Sequence, residues 1–63
     1  MTVTFDPQAA RGQQYGIKLD NGQQHERISR YAVEGALLRE GLSLSGIKAA
    51  LSQARLERSA SVL

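Results

Sequence analysis

In "QYGIKL", residues 14–19, the apolar Tyr15, Ile17 and Leu19 alternate with Gln14, Gly16 and Lys18. Period-two alternation that includes an aromatic and a β-branched residue predicts a strand with one dry face. "TVTF" at residues 2–5 alternates too, with Val3 and Phe5 on one side. Residues 1–13 therefore read equally well as a short strand or as an N-terminal arm, and Pro7 and Gly12 bracket a turn-rich connection. After "DNG" at residues 20–22 the pattern turns polar, and "QQHER" has no apolar residue to set against the dry face.

Two readings of that polar stretch compete. Asn-Gly after an alternating run is a hairpin signal, and "GQQY" at Gly12 recurs as "GQQH" at Gly22. With an Asn21-Gly22 turn, Leu19 faces Gln24 and Ile17 faces Glu26. With a three-residue loop, Leu19 faces Gln23, Ile17 faces His25 and Tyr15 faces Arg27. Either register sets polar side chains on the face the first strand needs dry. A helix avoids the conflict: Asp20 or Asn21 caps it, Gln23 or Gln24 completes a capping box, and Ile28, Ala32, Val33, Ala36 and Leu37 share one sector. The expectation is a helix from about Gly22 to Glu40.

Gly41 is a natural helix stop. Beyond it, Ser43 or Ser45 caps a second helix with an apolar stripe of Leu44, Ile47, Leu51 and Ala54. Lys48, Ser52, Arg55 and Ser59 line another side. The link between the helices is short enough to make a helical hairpin, and residues 59–63 are expected to fray.

The expected fold is α+β and mostly helical: one amphipathic strand and a two-helix hairpin over residues 14–58. A lone strand leaves both edges unpaired, and burying those groups costs about 1–3 kcal/mol each. Pairing the strand across a homodimer removes one edge. It also builds a shared core from Tyr15, Ile17, Leu19, Val33, Leu37, Ile47 and Leu51. The alternative is a small three-stranded meander with two helices.

Size and composition point the same way. Sixty-three residues make one domain of marginal core, and with no cysteine and one histidine (His25) neither disulfides nor a thiolate or His-rich metal site supports it. No cofactor is expected. The net charge of +2 arises wholly in residues 42–63, where Lys48, Arg55 and Arg58 face only Glu57; polyanion binding is compatible with this and not required by it. No apolar run approaches the roughly 20 residues that span a bilayer, and the N-terminus lacks the features of a secretory signal. A cytoplasmic protein that does not engage membranes is expected.

At "QYGIKL" followed by "GLSLSGI" the chain resembles the ribbon-helix-helix repressors over residues 14–58. That resemblance implies two antiparallel strands, one per subunit, lying in the major groove of double-stranded DNA, with Gln14, Gly16 and Lys18 turned outward as base contacts. Amide and ammonium groups suit adenine and guanine edges. It further implies a phosphate at the start of the second helix, near Ser43 and Ser45, with Lys48 and Arg55 as further phosphate contacts. Gly16 is a poor base reader and Lys48 stands where the family favours an apolar residue. A looser resemblance, to an uncharacterised family of short bacterial proteins, spans nearly the whole chain. It rests on the "TVTF"-like strand, alternating strand, "NG" turn, "IS" and helices, and implies the meander.

Glu26 and Glu34 lie two helical turns apart among arginines and read as surface ion-pair partners rather than a catalytic pair. His25 has no catalytic or metal-binding partner, and Tyr15 and Tyr31 read as core or interface residues rather than stacking platforms for bases. With no phosphate loop, nucleophile motif or metal constellation, the expectation is a non-enzymatic homodimeric DNA-binding protein, acting as a transcriptional regulator or DNA-organising factor. The alternative is a protein–protein interaction module.

Overall fold

The computed structural model describes residues 1–62. In chain order they form β1 (Thr2–Phe5), β2 (Tyr15–Lys18), β3 (Gln24–Ile28), α1 (Arg30–Arg39), α2 (Leu44–Glu57) and β4 (Ser59–Ser61). The strands make one antiparallel sheet in the order β3-β2-β1-β4. The expected one-strand, mostly helical fold is thereby overturned. β2 lies inside the sheet with β1 on one edge and β3 on the other, so the ribbon paired across two chains has no free edge to form on. The meander alternative lacked the fourth strand.

The polar stretch forms a strand because of a bulge. Gly22 N–H bonds the Leu19 carbonyl at 3.1 Å and Leu19 N–H bonds that of Gln23 at 2.8 Å, closing a three-residue loop in which Gly22 has φ +90°. Asn21 Oδ1 accepts from Gln23 N–H at 2.9 Å, so Asn21 braces this turn rather than capping a helix. Ile17 then pairs with His25, as that loop length dictates. The register next slips by one residue, with Arg27 at φ +56°, and Tyr15 comes to face Ile28 instead of Arg27. One inserted residue returns an apolar side chain to the dry face. The rest of "QHER" is exposed and polar, as suits an edge strand with one side in water.

Gly16 is where the bulged strand comes closest. A Cβ there would lie 2.6 Å from Thr4 Oγ1 and 3.2 Å from the His25 carbonyl oxygen. Glycine is what the approach requires.

α1 starts eight residues later than the pattern suggested, at a cap supplied by Ser29, whose Oγ accepts from Ala32 N–H at 3.1 Å. It ends as expected at Gly41: Gly41 N–H bonds the Leu38 carbonyl at 3.0 Å and Leu42 N–H bonds that of Leu37 at 3.1 Å, with Gly41 at φ +91°. Ser43 caps α2 through Gly46 N–H at 3.2 Å. Leu44, expected in the apolar stripe of α2, is exposed, and Ala50 is buried in the stripe instead.

The segment expected to fray is the fourth strand. Arg58 at φ +70° turns the chain out of α2, and Val3 pairs with Ala60. Val62 N–H bonds the Met1 carbonyl at 2.7 Å, while Ala60 and Val62 enter the core. Leu63 lies outside the described residues. Val3, Tyr15, Ile17, Val33, Leu37, Ile47, Ala50, Leu51 and Ala54 complete the core, with Leu19 half-buried against it. The residues expected to form a dimer core thus come together within one chain, and the helical hairpin roofs the Tyr-Ile-Leu row.

A candidate polyanion-binding cleft

Alternation along β1 and β2 separates two faces. Val3, Ile17 and Ala60 are in register on the face covered by the helices, with Phe5 and Tyr15 at its end. Thr4, Lys18, Ser59 and Ser61 are exposed on the other face. The three residues expected to read bases do not share an exposed row. Lys18 is exposed, but Gly16 is buried beneath Thr4 and His25, and Gln14 is half-buried with its amide 3.4 Å from the Pro7 carbonyl.

The expected phosphate contacts divide as well. Ser43 and Ser45 lie at the start of α2, their hydroxyls 3.2 Å apart. Ser43 shares its surroundings with Glu40 and with the ion pair that Asp20 makes with the Met1 ammonium at 2.7 Å, so the charge there is negative on balance and disfavours an anion. Lys48 and Arg55 lie on the flank of α2 nearest α1. With Ser52, Leu51, Tyr15 and Arg30 they line a cleft of about 220 Å³.

That cleft continues into a second, of about 280 Å³, lined by Phe5, Arg11, Gly12, Gln14, Tyr15, Ser29, Arg30, Tyr31 and Arg55. Tyr15, Arg30 and Arg55 belong to both. Arg58 sits beside them: its guanidinium lies 6.0 Å from the Phe5 ring centroid and that of Arg55 at 5.5 Å. Phe5 and Tyr15 pack with centroids 5.0 Å apart. The fold thus gathers Arg11, Arg30, Lys48, Arg55 and Arg58, five of the eight basic residues, around an aromatic floor.

The only acidic side chain in an ion pair with these cations, among the described residues, is Glu34: its Oε1 accepts from Arg30 Nε at 2.9 Å. This hydrogen bond, reinforced by the charge of Glu34, raises the Arg30 pKa above its ordinary value. Arg58 Nη1 donates to the Arg55 carbonyl at 2.7 Å, satisfying a terminal carbonyl of α2. α1 begins at the cleft with no acidic residue in its first turn, so the positive end of its dipole adds to the local field.

Lys48 and Arg55 were legible as a stripe because they lie on one helix. Arg11, Arg30 and Arg58 were not, since they come from a loop, a helix start and a helix end that only the tertiary fold unites. Tyr31, expected in a core or an interface, is outside the core, 78% exposed on the rim of the cleft. Its signal was the Ser29 cap, which places Tyr31 in the first turn of α1, away from Val33 and Leu37.

His25 is exposed on β3, in a groove with Arg39 and Glu40. No cluster of three or more His, Cys, Asp or Glu residues able to hold a metal exists among the described residues, and no helix there is long and apolar enough to cross a membrane. No family model, curated protein or solved structure matches the chain.

Proposed function

We propose that this chain is a non-enzymatic nucleic-acid-binding protein that contacts phosphates through the cleft between α1, α2 and the β1–β2 loop. The observation that carries the reading is the convergence of Arg11, Arg30, Lys48, Arg55 and Arg58 at one place with Glu34 as the paired acid. A net charge of +2 is too small to attract polyanions by itself; its concentration on one face is what produces a directed field. Backbone contacts of this type supply affinity and position, and each phosphate neutralised adds to the salt dependence. The two-strand groove-reading mode is not part of the proposal, because β2 is enclosed by its own sheet.

Fluorescence anisotropy with labelled random-sequence oligonucleotides, single-stranded and duplex, across a salt series tests the reading. Binding is expected to weaken linearly in log–log form with salt. Lys48→Ala and Arg30→Ala each reduce the slope by about 0.7–0.9, and Lys18→Ala on the opposite face leaves it unchanged. Absence of binding to either form at low salt refutes the proposal.

The rival reading, a protein-interaction module, is favoured by one observation. β3 is a sheet edge beside a groove of about 390 Å³ floored by Ile17, Leu19, Ile28, Ala32 and Ala36, the geometry that strand-adding peptides use. A stoichiometric protein partner that loses affinity on Ala36→Glu, with no nucleic acid bound, would establish it.

A further inference from the structure

We infer that the preferred ligand of the cleft is single-stranded nucleic acid, with one base stacked on the ring of Tyr31 and its flanking phosphates held by Arg11, Arg30 and Arg55. The inference rests on the nucleic-acid reading above and names the form of the ligand.

Three aromatic rings stand at the cleft, and two are already engaged. Phe5 carries the Arg55 and Arg58 guanidinium groups at 5.5 and 6.0 Å and packs on Tyr15. Tyr15 is buried in the core. Tyr31 remains, with most of its surface in solvent, on the wall it shares with Arg11, Arg30 and Arg55. A single exposed tyrosine is ordinary. One that lines a concave cleft together with three arginines has the elements of a single-strand site: cations that follow the backbone and a ring that accepts any base.

Shape separates the two nucleic-acid forms. In a duplex the base faces are stacked on one another and cannot reach the ring without unstacking. The cleft is also a recess bounded by the β1–β2 loop and both helices. An unpaired strand presents its base faces freely.

The experiment is anisotropy on the full chain at low salt with three labelled probes: an oligothymidylate of about twelve nucleotides, within the range such sites cover, an abasic strand of equal length, and the corresponding duplex. Oligothymidylate is expected to bind tightest. Tyr31→Ala should weaken it by about 5- to 150-fold, the range of base–aromatic stacking, and leave the abasic strand unaffected, while Tyr31→Phe retains the wild-type affinity. If Tyr31→Ala leaves oligothymidylate binding unchanged, or the duplex binds tightest, the inference fails while salt-dependent binding still supports the phosphate cleft. If no probe binds, both fall together.

Discussion

Replacing Gly16 with valine tests the bulged sheet through the sign of a stability change. At an open, outward strand position valine stabilises relative to glycine, by up to about 1 kcal/mol on strand propensity. In the sheet described above, even the Cβ would stand 2.6 Å from Thr4 Oγ1 and 3.2 Å from the His25 carbonyl oxygen. The exposed threonine can rotate away, but the His25 carbonyl is backbone and must shift. Overpacking of this kind costs about 1–3 kcal/mol, partly offset by the ~0.4–1 kcal/mol that a Cβ contributes by restricting the unfolded chain. Gly16→Ala should therefore lose about 1 kcal/mol and Gly16→Val, with two further methyl groups, about 2–3 kcal/mol. For a domain of this size 2 kcal/mol lowers the melting temperature by about 8–16 °C. Urea unfolding followed by circular dichroism reads the same loss as a lower midpoint at constant slope. In a Thr4→Ala background most of the Gly16→Ala penalty should persist, because the His25 carbonyl contact remains. A valine variant as stable as the parent, or more stable, would refute the close approach of β1 and β3 to Gly16.

Three further outcomes follow from the geometry. Ser29→Ala removes the cap on Ala32 N–H and should cost about 1 kcal/mol in urea melts; were Ser29 inside a longer helix, alanine would be neutral or favourable. Ala60→Asp places a carboxylate at a position 3% exposed in β4, and thermal melts should show a loss of more than about 1–3 kcal/mol, whereas a frayed tail would tolerate it. Glu34→Gln releases Arg30 from its ion pair; oligonucleotide affinity at low salt should rise by about 1.4- to 5-fold, the small effect of an exposed pair, and the gain should disappear at high salt. With Arg30 held charged by Glu34, its own deprotonation confers no pH dependence through the neutral range, because any stability linked to its raised pKa is present below its unfolded value and lost only as pH rises through the folded one.

Elements governed by local chemistry were legible in the residues alone. The alternation of β2, the Gly41 stop, the Ser43 cap and the buried positions of α2 depend on neighbours within a few residues, and all but Leu44 of the expected stripe is buried. The fold was lost at the bulge. Pairing rules that assume an unbroken ladder put Arg27 opposite Tyr15, and the inserted residue that brings Ile28 there has no signature in "QHERI" beyond its oddness as a strand. The same polarity that argued for a helix is what an edge strand carries when one side faces water. β4 was lost for another reason. Three residues, "SAS", are too short to show a period, and they form a strand because β1 offers an open edge and Ala60 and Val62 a place in the core. The cleft required three parts of the chain to meet, so its membership is a property of topology.

The proposed ligand meets the protein on the helix side of the sheet, where Arg11, Arg30, Tyr31, Lys48 and Arg55 converge. Titrating isotopically labelled protein with oligothymidylate and following backbone amide shifts by NMR tests it directly. The largest changes are expected at Arg11 and Gly12, Ser29–Tyr31, and Lys48–Arg55, with Thr4, Lys18 and Ser61 unmoved. Shifts concentrated on the outer face at Thr4, Lys18 and Ser61, or none at saturating ligand, would contradict it.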